Sequence, residues 1–264
     1  MSIEHQEIYL RIMFSFCCLF GFWCIALLFP YRKAKEFKSP KRILTNLALS
    51  FGNGLVIKAV VPVSLVYMAR YIDSPFPPVP KFYYHGFNVL LGITILDFAL
   101  YWQHRLSHKF NLLWRLHRVH HSDTEIDTTT AARFHTIEIF LSLFYKGFFV
   151  IVFDIPYDAV IYFMILLNSS AQFNHSNFKL PSSVEKFSRL FIITPDLHRI
   201  HHSVKHEEMN KNFGFSTSFW DRIFGTYEPN PKESMDKMNI GLNQFRNEQD
   251  QNLWALLVQP FRKS

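Results

Sequence analysis

Only three cysteines occur in the 264 residues, and Cys17, Cys18 and Cys24 all fall inside one apolar stretch near the N-terminus. That placement excludes a disulfide framework, and the three thiols read as small buried hydrophobes. Charge is scarce as well: Asp, Glu, Lys and Arg make up 19% of the chain, below the roughly one quarter of an average globular protein. Low-complexity polar tracts are missing, so intrinsic disorder is excluded. Apolar residues fill the space, with 49% hydrophobic, 17% aromatic and 29 phenylalanines. The net charge of +7 permits a nucleic-acid binder or a membrane protein with basic loops. No DNA- or RNA-binding motif accompanies the charge, so nucleic acid drops out as a partner.

Residues 12–29 carry no charge and approach the roughly 20 residues that cross a bilayer core. Glu4 and Glu7 precede them where a signal peptide would be basic, and no small-residue cleavage site follows, so the stretch reads as a retained transmembrane helix. A second span is expected over 43–69, with Lys58 as its one charge, and a third over 82–103, with Asp97 as its one charge. Lys58 is expected to snorkel or to line a cavity. The apolar segments 139–153 and 159–171, separated by Asp154-Ile-Pro-Tyr-Asp158, read as a helical hairpin. Arg32, Lys33, Lys35, Lys38, Lys41 and Arg42 lie between the first two spans, whereas 70–81 holds only Arg70 and Lys81 beside four prolines. The first loop is therefore expected in the cytoplasm. The expected fold is all-α: a multi-pass bundle of three long spans plus a hairpin, with a cytoplasmic helical cap. It forms one integral-membrane domain, with spans over 1–103, two histidine clusters over 104–137, the hairpin over 138–171, a third cluster and the cap over 172–228, and a polar surface tail over 229–264. Within that tail, 253–261 reads as a short amphipathic helix resting on the membrane or on the domain.

Histidine is the surplus, with 13 copies, eight of them in three clusters. His104 and His108 are four apart. His117, His120 and His121, and again His198, His201 and His202, have the spacing i, i+3, i+4, which puts all the rings of a cluster on one helical face. A satisfied single histidine is the default for His5, His85 and His206. Eight clustered imidazoles would repel on protonation and waste buried donors unless they bind metal. Eight nitrogens exceed the needs of one first-row ion and suit two, and imidazole alone accepts zinc, copper, iron or nickel. A structural zinc site usually uses cysteine, and none lies near. The zinc-protease pattern needs a glutamate inside the box, where Arg, Leu, Ser, Val and Ile stand. A redox pair of irons fits best.

These residues resemble the fatty acid hydroxylase/sterol desaturase superfamily of integral-membrane non-haem di-iron enzymes. The resemblance rests on the three boxes together with Asp97-Phe-Ala-Leu-Tyr-Trp-Gln-His104, Phe173-Asn-His175-Ser-Asn177 and Trp220-Asp-Arg-Ile-Phe-Gly-Thr226. It implies two Fe ions (with zinc able to replace them during purification), O2 as co-substrate, a lipid substrate from the bilayer, and a separate electron-transfer protein and reductase. The activity implied is hydroxylation or desaturation of a fatty acyl, sterol or related lipid, and ether-lipid or carotenoid hydroxylation would use the same metal site. A metal transporter or a zinc-dependent membrane hydrolase are the rivals from other classes. The membrane would be the endoplasmic reticulum or a bacterial inner membrane, with the boxes on the cytoplasmic side. The resemblance adds His175 as a metal ligand. His135 is assigned to the outer sphere or to a substrate headgroup, and Gln172 stands where some relatives place another histidine. Asp97, on the stripe of Tyr101, His104 and His108, is expected to hydrogen-bond a ligating imidazole, because a charge in an apolar span is costly; the alternative is a polar contact between helices. Asp123, Glu125, Asp127 and Asp196 flank the boxes, where they could orient ligands or dock the electron donor; most such charges are simply solvated, and none is assigned a catalytic role.

Overall fold

The structure is a computed structural model that describes residues 3–32, 40–61, 63–76 and 82–263, with side chains described from residue 13 onward in the first helix. Among the described residues it is all helical and contains no strand; isolated bridges pair Pro30 with Phe178, Ile192 with Thr217 and Ser203 with Ile240. The long helices are α1 (Ile3–Leu28), α2 (Pro40–Val60), α4 (His85–Lys109), α6 (Thr136–Val152) and α7 (Tyr157–Asn174), with the short α3 (Leu65–Tyr71) and α5 (Asn111–His121) between them. After α7 come α8 (Ser182–Ser188), α9 (Pro195–His201), α10 (His206–Met209), α11 (Phe219–Ile223) and α12 (Leu253–Val258). Two stretches are long and apolar enough to cross a membrane by length and composition, 40–71 and 85–109, and the apolar part of α1 over 13–28 is shorter.

The second expected span is two helices. α2 ends at Val60 and α3 begins at Leu65, capped by Ser64 Oγ, which accepts from the Tyr67 amide at 3.1 Å. The sequence explains the interruption: proline at 62 has no amide hydrogen to continue the helical ladder, and serine favours an N-cap. α6 and α7 are joined by a turn over Asp154-Ile-Pro-Tyr-Asp158, where Asp154 takes a φ of 47°, and both pack against α3 and α4 rather than chiefly on each other. Leu96, Leu100, Val150, Ile155, Ala159, Val160 and Phe163 make the main core between α4, α6 and α7. Gly92 permits that closeness, since a Cβ there would come within 2.8 Å of Ile155 and 3.0 Å of Ala159.

Two expectations about the polar parts are corrected. The tail is a surface segment only in part: many of its polar residues are exposed, but Met235, Met238 and Ile240 pack on Ile126 and Ile200 next to the boxes. α12 rests on the domain, Leu256 packing with Leu49 and Val119. Nor are Asp123 and Asp127 solvated. Arg42 of α2 binds Asp123 at 2.8 Å and also pairs with Asp127, Asn46 donates to Asp123 at 3.1 Å, and Arg133 donates to Asn46 Oδ1 at 3.1 Å. Burial pushes the Asp123 carboxyl up, but Arg42 and Arg133, with bonds from Thr130 and Asn46, overcome it and hold the group below its ordinary value. This buried network ties α2 to the end of the second box, so loss of one partner would leave an uncompensated charge.

Candidate metal centre

The three boxes reach one place because of two tight bends. A single residue, Phe110, separates α4 from α5, which folds the second box back toward His104 and His108. The third box is on α9, started by Thr194 as N-cap and Pro195 in the first turn. His202 caps its C-terminus, and His175 caps the C-terminus of α7.

Nine imidazoles converge, sorted by helical register and not by box. His104, His108, His117, His121 and His201 form one group, and His120, His175, His198 and His202 another; within each, the ligand atoms lie within 4.8 Å of one another. The second and third boxes each contribute to both groups. The groups adjoin: the His121 and His202 rings stack with centroids 4.5 Å apart, and those of His117 and His120 are 5.4 Å apart.

The outward nitrogens fix the inward ones. His104 Nδ1 lies 2.7 Å from the Phe213 carbonyl, His201 Nδ1 2.8 Å from that of Lys211, and His175 Nδ1 2.6 Å from that of Ala171. A carbonyl only accepts, so each Nδ1 carries the proton and each Nε2 a lone pair. His117 Nδ1 lies 2.6 Å from Glu138 Oε1, with the same consequence. His175 Nε2 sits 3.1 Å from His120 Nε2 and 3.0 Å from His198 Nε2. The Nε2 atoms of His104, His108, His117, His121, His201 and His202 are buried without a hydrogen-bond partner. Unpaired polar atoms at this density are costly, and convergent neutral imidazoles with outer-sphere partners are what a metal requires. The donor set fits borderline metals such as iron.

Burial keeps these rings neutral. It is the first cause that drives His120, His121, His198 and His202 well below their ordinary value, with neighbouring imidazoles adding to it. Burial pushes His175 down to about 4 and His201 to about 3.

Asp97 lies apart from this shell. Its Oδ2 accepts from Trp220 Nε1 at 2.8 Å, an interhelical contact in place of the expected imidazole partner. His135 is also outside the nine: it caps α6, its Nδ1 accepting from the Ile137 amide at 3.2 Å and its Nε2 3.1 Å from the Leu257 carbonyl. Gln172 is half-buried, with its Oε1 buried and without a hydrogen-bond partner among the described residues. Glu138 was missed, although it opens an apolar run and the costly-charge argument used for Asp97 applies to it equally. Asp221 was missed too. Its carboxylate accepts from the Phe213 and Gly214 amides at 2.8 Å each and so holds the loop whose carbonyl orients His104. Of the isolated histidines, His85 pairs with Asp158 at 2.7 Å, His206 begins α10, and the His5 side chain lies outside the described residues.

A cavity of about 860 Å³ opens on the five-histidine group, lined at that end by His104, His117 and Glu138 and reaching Lys58, Arg70 and Tyr71 at the other. It is within the size range of ligand pockets.

Fold and site together define a helical protein with a polyhistidine site able to hold metal. The fatty acid hydroxylase family matches residues 89–226, just over half of the chain and all three boxes, and the chain belongs to that family. It is 29% identical over 178 residues to an ornithine lipid hydroxylase of Rhizobium tropici, covering 67% of this chain and 51% of that protein. It is 28% identical over 160 residues to the human alkylglycerol monooxygenase, covering 60% and 34% respectively. A Delta(7)-sterol 5(6)-desaturase of Aspergillus fumigatus is 26% identical over 161 residues, covering 61% and 44%. The chain thus spans about half the length, or less, of these relatives. No solved structure matches it.

Proposed function

We propose that the protein is a multi-pass membrane di-iron oxidoreductase that uses O2 and electrons from a separate donor protein to hydroxylate or desaturate a lipid. The observation that carries this is the junction of nine imidazoles, eight buried and His108 half-buried, in two groups, with a cavity of about 860 Å³. When bound, a pair of irons supplies oxygen activation and removal of hydrogen from an unreactive carbon. The chain's own residues do the rest. His104, His108, His117, His121 and His201 hold one ion, and His120, His175, His198 and His202 the other. Glu138 and the carbonyls of Phe213, Lys211 and Ala171 keep the Nδ1 protons in place, so that every anchored ring presents its lone pair inward. The cavity binds the lipid chain, excludes water and directs one carbon toward His104 and His117.

The membrane setting is supported by the outward faces of the long helices, where Phe16, Phe20, Phe51, Phe87 and Phe148 are exposed, an apolar surface too extensive for water. The basic residues between the first two apolar stretches support a cytoplasmic orientation of the histidine boxes, and the family resemblance supports a separate reductase system. The names of the relatives, an ornithine lipid hydroxylase, an alkylglycerol monooxygenase and a sterol desaturase, support a lipid rather than a soluble metabolite as the occupant of the cavity.

The test is lipid analysis of cells with and without the chain under isotopic oxygen gas, using His120→Ala as control and a functional electron donor. A wild-type-only lipid with one labelled oxygen establishes a monooxygenase, and a new unlabelled double bond a desaturase. No lipid change sinks the proposal. Iron near two per chain in the purified protein is expected alongside.

A further inference from the structure

Lys146 stands in the wall of the cavity, 9% exposed, on the second turn past Glu138. Glu138, Ser142 and Lys146 follow at intervals of four along one face of α6, all lining the same space. The ammonium donates to Ser142 Oγ at 2.5 Å, and that hydroxyl donates to Gln103 Oε1 at 3.1 Å. An ammonium has three donors, and no ion pair of Lys146 occurs among the described residues. The one carboxylate lining the cavity, Glu138, is bonded through Oε1 to His117 and reaches Lys146 only through space, with no hydrogen bond or ion pair between them. Lys58 and Arg70 at the far end add two further cations. An unpaired ammonium inside an apolar bundle is expensive, and a snorkelling lysine would carry its charge to the surface, which this one does not.

We propose that Lys146 is an anion subsite of the cavity, binding a carboxylate or phosphate oxygen of an amphiphilic ligand whose alkyl chain runs toward His104 and His117. The eight-residue step from Glu138 to Lys146 corresponds to roughly 12 Å of helix. The carbon presented to the histidines is therefore well separated from the acidic group. The assignment of that carbon as the one oxidised rests on the function proposed above; the anion subsite does not.

The test is equilibrium binding to the full chain in neutral phosphatidylcholine nanodiscs, without oxygen or electron donor, using hexadecanoate, hexadecyl phosphate and hexadecanol as probes. In the wild type an acidic probe binds about 10- to 100-fold tighter than the alcohol, the range of a buried charge-assisted bond. Lys146→Met closes that gap while leaving the alcohol's affinity and the metal content unchanged, and Lys146→Arg keeps it open. The acidic probe with the larger gap, carboxylate or phosphate, identifies the source. Equal binding of all three probes in the wild type, a gap that survives in Lys146→Met, or equal weakening of all three probes overturns the subsite. Because no turnover is involved, failed lipid oxidation with intact discrimination would remove the enzymatic proposal alone.

Discussion

The two histidine groups are built from the same boxes yet sit in different surroundings. The five-membered group lines the cavity through His104 and His117, and three of its rings are held from outside, by Glu138, Phe213 and Lys211. The four-membered group is sealed: His120 is 1% exposed and His175, His198 and His202 are 0%, none of the four lines the cavity, and His175 with Ala171 is its anchored ring. The difference teaches that convergence of imidazoles alone does not define the working face. In the function proposed above, access and outer-sphere support single out the five-histidine side as the one that would meet a lipid, while the other would hold the second ion from behind.

The largest expected effect ignores that asymmetry. Replacing His121 or His198 with Ala, one from each group, should lower turnover by more than about 100-fold, beyond what loss of an outer-sphere partner does. Iron content and activity measured on the same membranes check it. A four-group variant with near-normal turnover would break the pairing of the two groups and leave one functional ion.

Next comes Glu138→Ala, which removes the acceptor from His117 Nδ1. A drop of about 10- to 100-fold in metal affinity or activity is expected. Glu138→Gln should recover part of it, because an amide oxygen still accepts the Nδ1 proton. Equal defects in both variants would mean that the negative charge of Glu138, and not acceptance of the Nδ1 proton alone, supports His117.

How far the sequence foretold this centre follows from where its signals are local. The eight box histidines announce themselves by spacing within single helices, and His175 by its resemblance context; the structure brings all nine together. The sorting into five and four was not legible, because it depends on how α5 and α9 are rotated about the site, a property of tertiary packing. The carboxylate choice failed for a related reason. Asp97 and Glu138 are both acidic groups in or beside apolar runs, and only the rotation of α4 decides that Asp97 faces Trp220. The turn between α6 and α7 was legible from Pro156 and the flanking aspartates. The buried part of the tail was not, since Met235, Met238 and Ile240 are isolated apolar residues in a polar context.

A pH effect should follow from the sealed group in metal-free protein. An unfolded imidazole takes a proton below about 6.5, whereas His175, held down by burial, does so in the folded state only near 4. Between those values the unfolded state binds more protons, so stability falls as pH drops through that window. His120, His198 and His202, also lowered by burial, act in the same direction. Thermal melts of the chelated protein in detergent at pH 7.5 and pH 5 test it; an unchanged midpoint would mean that these rings are hydrated in the absence of metal.

The smallest effect belongs to Asp97, and it separates structural from metal-linked carboxylates. Its Oδ2 accepts from Trp220 at 2.8 Å, and Trp220 in turn packs edge-on to Phe98 at 5.0 Å, so the contact clamps α11 against α4. Asp97→Asn preserves an oxygen acceptor for the indole and changes no bond to a histidine. A stability change of about 1 kcal/mol or less, the net worth of one hydrogen bond, is expected with metal content intact. Trp220→Phe should match it in melting while also sparing the metal. If Asp97→Asn instead lost iron as Glu138→Ala does, the carboxylate would have to reach the centre through the Trp220 and Phe213 side of the cap, and the support of the five-histidine group would be wider than its direct contacts.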